Sequence, residues 1–246
     1  MSKSSKFVDA PPAYSPLPPA ARMQGSVCCI SLDSTDRLRL VGCSPQLVEP
    51  IRDTVKAAWG EIQVESLVGG AYEFKLLGNP WAGQGKSSVS SRRLVMAVLC
   101  TMAKQGWSLS LASNSSKIDL DKDTLYFERA TPDPNIRLAA VSFNMVDRIR
   151  VIDMPSLVPF VKSAIVAQWE PGIDAERIYY EAHEFKLVGF PWHPRYNEEA
   201  VMSRMLCAQI FANLRAQGYI LYGSLNSSFA AAGLDTWIFR CREPSA

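Results

Sequence analysis

Apolar and polar residues alternate along the chain in blocks that predict strands and helices in a fixed order. Two short apolar runs on either side of the polar segment 33–36 predict a β-hairpin. Between residues 45 and 59, apolar residues recur at helical spacing, at positions 47, 48, 51, 55 and 59. The pattern then predicts strands over 62–68 and 72–77, a helix over 90–104, and strands near 107–112 and 124–128. This order is a ββαββαββ unit.

The same order occurs a second time. Residues 73–81 read Glu-Phe-Lys-Leu-Leu-Gly-Asn-Pro-Trp, and residues 184–192 read Glu-Phe-Lys-Leu-Val-Gly-Phe-Pro-Trp. Further matches keep their order at a spacing of 111 residues, which drifts between 110 and 112. In the second copy the pattern predicts helices over 155–169 and 198–216 and strands that include 178–180, 183–188, 219–224 and 236–241. A repeat of this length indicates a tandem duplication.

The duplication predicts both the fold class and the domain organisation. Mostly short connections favour an antiparallel sheet with two helices on one face, which is an α+β fold. We expect a disordered Pro-rich tail at 1–25, repeat unit 1 at 26–130, a linker at 131–136 and repeat unit 2 at 137–246. We also expect the two repeats to pack with pseudo-twofold symmetry, as one body or a tight pair.

Composition narrows the possible functions only slightly. The net charge of +2 on 246 residues gives no broad attraction for nucleic acid, so we expect no nucleic-acid partner. No apolar run approaches the ~20 residues that a bilayer span needs, and the polar N-terminus has no apolar core after its lysines, so we expect neither a membrane span nor a secretory signal. Six cysteines without a C-x-x-C pair are typical of reduced thiols. These features predict an intracellular, cytoplasmic protein.

Residues kept in both copies are better candidates for a structural role than for ligand binding. Glu73 and Lys75 lie two positions apart on a strand, so they share one face of the sheet, and cross-strand charge pairing is the structural interpretation. The ligand interpretation places Lys75 and Lys186 around an anion. Trp81 and Trp192 follow a Gly-x-Pro turn, where they cover the core or, alternatively, stack on a ligand.

Residues that differ between the copies offer three further candidates. The loop from Gly83 to Ser88, with Lys86, lies between a strand and a helix like a phosphate-binding loop, but Pro80 stands where that motif needs glycine. His183 and His193 lack a third metal ligand at regular spacing, so we expect no metal and no cofactor.

One arginine near the start of the second helix of each repeat is a further candidate for a structural or binding role. Arg92 and Arg204 each follow a serine in the first turns of that helix. We expect each guanidinium to bridge to a carboxylate of the sheet. None of these residues forms a catalytic arrangement on its own, and an enzyme is the less favoured interpretation.

The proline-rich tail contains the one short motif with a recognisable binding mode. Pro11, Pro12, Ala13 and Tyr14 form a Pro-Pro-x-Tyr sequence. This tail resembles the ligands of WW domains, in which an extended polyproline segment docks in an aromatic groove. The resemblance implies that Pro11, Pro12 and Tyr14 bind WW-domain proteins, including ubiquitin ligases and adaptors. The globular repeat resembles no family of known activity.

The sequence thus favours a non-enzymatic intracellular binding or adaptor protein with a docking tail on a duplicated body. The alternative is a protein with a ligand-binding or enzymatic pocket, either between the two repeats or at the loop from Gly83 to Ser88. A deep polar cleft between the repeats favours the pocket. A filled contact favours the adaptor.

Overall fold

The computed structural model describes residues 25–82, 85–114, 123–226 and 234–241, and it confirms the α+β fold and the duplicated body. The first repeat contains β1 (Val27–Asp33), β2 (Arg37–Val41), α1 (Val48–Ala58), β3 (Ile62–Val68), β4 (Ala71–Leu76), α2 (Ser87–Lys104), β5 (Trp107–Ser113) and β6 (Thr124–Arg129). The second contains β7 (Leu138–Asn144), β8 (Arg148–Ile152), α3 (Val158–Gln168), β9 (Ile173–Tyr179), β10 (Ala182–Leu187), α4 (Asn197–Ala216), β11 (Ile220–Leu225) and β12 (Thr236–Arg240).

The boundaries differ from the predicted ones mainly at helix starts. A 3₁₀ turn precedes α1 at Pro45–Leu47, and another precedes α3 at Pro155–Leu157, because proline fits a first turn that needs no N–H donor. Strand β9 begins five residues before its predicted start. Gly106 follows the end of α2 with φ +77°, a left-handed conformation that glycine adopts without a Cβ clash.

Each repeat forms one six-stranded antiparallel sheet. The strand order is β3-β4-β2-β1-β6-β5 in the first repeat and β9-β10-β8-β7-β12-β11 in the second, so the two sheets have the same topology. One face of the first sheet packs on α1 and α2 through residues that alternate along each strand, such as Ile30 and Leu32 on β1. We call this the helix face and the opposite surface the open face.

The open face of the second sheet is covered by the first repeat. Every residue of β7 is buried, whereas in β1 buried and half-buried residues alternate from Val27 to Leu32. Ala139 and Val141 lie in the core formed with α3 and α4, while Leu138 and Ala140 belong to the core that contains α2. Helix α2 therefore lies between the two sheets.

The contact between repeats is not reciprocal, which corrects the expected pseudo-twofold packing. Eleven of the 18 residues of α2 are buried, but only four of the 20 residues of its counterpart α4. A twofold axis would bury the two helices alike. The repeats instead stack head to tail, in the order first sheet, α2, second sheet, then α3 and α4.

Candidate binding surface on the open sheet faces

The repeated Glu-Phe-Lys motif places a buried carboxylate on each open face. Glu73 on β4 lies opposite Arg39 on β2, and its carboxylate accepts hydrogen bonds from Arg39 Nε at 2.6 Å and from Arg37. Only 2% of Glu73 is exposed. Burial raises the pKa of Glu73, but the bonds and charges of Arg39 and then Arg37 outweigh it, so the pKa is lowered overall.

In the second repeat the equivalent carboxylate has three arginine donors. Glu184 accepts hydrogen bonds from Arg148 at 3.0 Å and from Arg150 and Arg177 at 2.7 Å each. Burial again raises the pKa of Glu184, and the arginines, led by Arg150, lower it overall. Unlike in the first cluster, one arginine here is enclosed: Arg150 is only 5% exposed, whereas Arg177 reaches the cluster from an exposed position.

Helix α2 encloses the second cluster through direct polar contacts. Arg150 Nη1 donates to Ser88 Oγ at 2.8 Å, and Arg92 Nε donates to Thr236 Oγ1 at 2.8 Å. Arg92 Nη1 also donates to the Ser88 carbonyl oxygen. Arg92 therefore bonds to neutral oxygens, which corrects the expectation that it bridges to a carboxylate. Arg204 likewise donates to a carbonyl, that of Ala200.

The burial of Arg92 has an electrostatic cost. Desolvation, together with repulsion from Arg150, lowers the pKa of Arg92 to about 10. Since this value is still well above neutrality, the guanidinium stays charged in the contact between the repeats. Two buried arginines thus lie near each other, balanced mainly by Glu184 and by oriented oxygens.

Arg93 forms ion pairs at the edge of the contact between α2 and the second repeat. Its Nε lies 2.7 Å from Asp153 Oδ1, and its Nη1 lies 3.1 Å from Glu181 Oε2 and 3.3 Å from the Tyr180 carbonyl oxygen. Asp153, Tyr180 and Glu181 have φ values of +63°, +47° and +66°. A left-handed backbone conformation costs roughly 1–2 kcal/mol for a residue with a Cβ. The contacts with Arg93 help to offset this cost.

The two predicted anion-binding lysines lie on different surfaces. Lys75 Nζ is 4.0 Å from Asp36 Oδ2 on the open face of the first sheet, and Lys186 Nζ pairs with Asp174 on the open face of the second sheet. The first sheet and α2 lie between these two faces. The structure therefore does not bring Lys75 and Lys186 into one site.

The two tryptophans of the Gly-x-Pro-Trp turns hold those turns onto neighbouring strands. Trp81 is fully buried and its Nε1 donates to the Arg37 carbonyl oxygen at 2.9 Å. Trp192 is partly buried, donates to the Arg148 carbonyl oxygen at 3.0 Å, and packs edge-on against Phe143 at 4.8 Å. Trp81 thus has no surface left for stacking on a ligand.

The remaining candidates do not converge on a reactive site in the described residues. Lys86 is exposed just before α2, while Gly83 lies outside the described residues. His183 lies on the helix face, 3.4 Å from Glu176 Oε2, and His193 is exposed. Across residues 25–82, 85–114, 123–226 and 234–241, no three His, Cys, Asp or Glu side chains are grouped to hold a metal ion.

Two features of the chain bear on its partners. Pro11, Pro12 and Tyr14 lie outside the described residues. Among the helices that the structure describes, none combines the length and apolar character that a bilayer crossing requires.

The open face of the first sheet was not predicted as a surface of interest. Its half-buried residues include Cys29, Ser31 and Val41, and the equivalent residues of the second sheet are fully buried under α2. The signal in the sequence was the change from Cys29 to Ala140, a smaller residue at the same strand position.

One domain-family model matches the chain twice, over residues 26–128 and 137–240. The description of that family names a domain and no activity. No curated protein and no solved structure matches the chain significantly.

Proposed function

The chain belongs to the domain family whose model matches both of its halves, and we propose that it is a non-enzymatic binding or adaptor protein with a docking tail. The observation that supports this proposal best is the filled contact between the repeats. Side chains from both repeats occupy it, and the polar groups there bond to one another.

A ligand pocket between the repeats would need polar groups that converge on an open cleft. Ser88 instead accepts a hydrogen bond from Arg150 and donates one to the Gly85 carbonyl oxygen at 2.7 Å. Arg92 is committed to Thr236 and to the Ser88 carbonyl. These contacts favour a structural role for Ser88, Arg92 and Arg150 and therefore favour a binding body over an enzyme.

The tail supplies the docking element of the proposal. Pro11 and Pro12 favour an extended polyproline conformation, which loses little entropy when it docks in an aromatic groove, and Tyr14 fills a second pocket. Partners would be WW-domain proteins. An intracellular location belongs to the same proposal, because six unpaired cysteines fit a reducing compartment.

The test is titration of a fluorescently labelled WW domain with the full chain and with the Tyr14→Ala variant. We expect Tyr14→Ala to weaken binding at least about tenfold, because an aromatic anchor in a pocket carries much of the binding free energy. The melting temperature should not change.

Tyr196→Ala is the matched control, since Tyr196 is a body residue with 68% exposure. This variant should bind like the unmodified chain. Equal affinity of the Tyr14→Ala variant and the unmodified chain, or no binding by the unmodified chain, would overturn the docking role of the tail.

A further inference from the structure

The contact between the repeats has two sides, and the chain presents an equivalent of each side elsewhere. One side is the outer surface of α2, whose equivalent is the largely exposed outer surface of α4. The other is the open face of the second sheet, whose equivalent is the open face of the first sheet. We propose that α4 of one copy of this chain docks on the open face of the first sheet of a second copy, and so repeats the internal contact between molecules.

Equivalent hydrogen bonds in the two repeats show which residues of α2 and α4 correspond. Ser91 on α2 donates to the Pro80 carbonyl oxygen, and Ser203 on α4 donates to the Pro191 carbonyl oxygen at 2.5 Å. The residue that follows each serine is an arginine, so Arg204 occupies the position of Arg92. Arg92 is buried against the second sheet, whereas Arg204 is exposed.

The threonine that accepts the hydrogen bond of Arg92 has a counterpart in the first sheet. Thr236 lies opposite Ser142 in the second sheet, and Thr124 lies opposite Ser31 in the first. Thr124 therefore occupies the position of Thr236, and it is half-buried on the open face. In the proposed contact Arg204 would donate to Thr124 of the second copy, as Arg92 donates to Thr236 within the chain.

The arginine at the edge of the internal contact is replaced on α4 by an apolar residue. The position of Arg93 is taken by Met205, which is 51% exposed. Val201, one turn earlier, is 56% exposed although its counterpart Val89 is fully buried. The outer surface of α4 thus presents an apolar stripe beside Arg204.

The partners of Arg93 change together with it. Asp153 and Glu181 are matched in the first repeat by Gly42 and Gly70, which have similar φ values of +67° and +86°. Helix α4 has no positive charge at the position of Arg93, and the first sheet has no carboxylate at the positions of Asp153 and Glu181. A methionine on α4 therefore meets a surface from which the charges are absent, whereas an uncoordinated change would leave unpaired charges on one side.

The rest of the open face has the apolar character that such a contact needs. In the second sheet, α2 covers Leu138, Ala140, Ile152 and Ile238. The equivalent half-buried residues of the first sheet are Val27, Cys29, Val41 and Tyr126. Apolar surface thus occupies the same positions in both sheets, and among the residues that the structure describes a helix covers it only in the second sheet.

The two proposed surfaces lie on different parts of the chain, so their contact is heterologous. Contacts of this kind do not close in a simple dimer but extend into rings or filaments. The proposal goes beyond the docking tail, because it needs no residue of that tail.

Sedimentation velocity of the full chain across a range of concentrations tests the proposal. We expect the unmodified chain to sediment as species larger than its monomer mass of 27.2 kDa as concentration rises. Met205→Arg should reduce the association constant at least about tenfold, because it buries a charge opposite two glycines. Met145→Arg is the matched control: Met145 is 69% exposed in the β7–β8 turn, and this variant should associate normally.

A rescue experiment rebuilds the internal ion pairs between molecules. The Gly42→Asp/Gly70→Glu variant should associate weakly on its own, since its carboxylates face Met205 of the next copy. Mixed with Met205→Arg at a 1:1 ratio, it should form alternating assemblies, because each contact is then either charge-paired or unmodified. A Cβ added at Gly70 meets no atom within 4 Å, and circular dichroism of each variant verifies folding.

Three results would overturn the proposal. The first is an unmodified chain that stays monomeric at every concentration tested. The second is the same association for Met205→Arg and Met145→Arg. The third is a 1:1 mixture that remains monomeric although both variants are folded. Tyr14→Ala should leave association unchanged, so failure of this proposal and failure of the tail-docking proposal are distinguishable.

Discussion

The carboxylates of the repeated motif show how one residue type has different consequences in the two repeats. Glu73 and Glu184 are both almost fully buried and both bind arginines. The arginines around Glu73 are partly exposed, whereas Arg150 beside Glu184 is enclosed under α2. Removing the carboxylate therefore leaves solvated cations in the first repeat and a buried cation in the second.

We predict that Glu184→Gln destabilises the protein by about 3–5 kcal/mol, because it leaves Arg150 buried without its counterion. Glu73→Gln, the matched variant, should cost only ~1–2 kcal/mol, since Arg37 and Arg39 can turn toward water. Urea denaturation of both variants measures the difference in the free energy of unfolding. Equal losses would contradict the different enclosure of the two clusters.

The same carboxylates predict a dependence of stability on pH. Both have a folded-state pKa below the ordinary value. Their contribution is therefore fully present above the unfolded pKa, near 4.5, and is lost as pH falls through the lower folded pKa. Stability of the unmodified chain should decline below about pH 4.5, and Glu184→Gln should flatten that decline.

At the scale of elements, α2 and α4 show what the sequence could and could not predict. The ββαββαββ order followed from apolar periodicity and from the repeat, and the structure confirms it. The head-to-tail packing was not predicted, although residues 94–100 of α2 are all apolar, a pattern typical of a helix buried on every side. The corresponding part of α4 contains Gln209 and is more exposed.

The charged partners of the motif were only partly predictable. Strand alternation placed Glu73 and Lys75 on one face, as the register confirms. The strand order was not predicted, and it is the pairing of β2 with β4 that brings Arg37 and Arg39 to Glu73. Pairs between distant strands cannot be derived from local pattern, because local pattern fixes the face of a residue and not its neighbour across the sheet.

Strands β1 and β7 offer a direct test of the difference in packing between repeats. Ala140→Lys should destabilise the protein by more than about 3 kcal/mol, because it buries an unpaired charge against α2. Cys29→Lys changes the equivalent position on the open face of the first sheet, which is only half-buried, and should cost about 1 kcal/mol or less. Thermal denaturation of the two variants compares them.

If both lysine variants lose the same stability, α2 does not cover the second sheet in the way the contacts indicate. The Cys29→Lys variant has a second use, because its lysine lies on the proposed docking surface. It should fold and yet associate poorly, so that stability and self-association separate in a single protein.

At the scale of the whole molecule, both repeats contribute to the core that contains α2. The core that contains α2 includes residues of both sheets, among them Ile30, Leu40, Ile152 and Ile238. A helix that serves as the inner layer for two sheets couples their stabilities, because unfolding of either repeat removes apolar contacts from the other. Repeats that each contact only a neighbour share this dependence in longer arrays.

This coupling predicts that the full chain unfolds in one cooperative transition. Differential scanning calorimetry should give a calorimetric enthalpy equal to the van't Hoff enthalpy, as two-state unfolding requires. Two separate transitions would indicate repeats that are stable independently. The second repeat alone would expose Leu138, Ala140 and Ile238 to water, so an isolated fragment of residues 137–241 should aggregate or remain unfolded. The first repeat alone would expose the outer surface of α2, an apolar helix face whose only described cover is the second sheet, so each half depends on the other for a soluble surface.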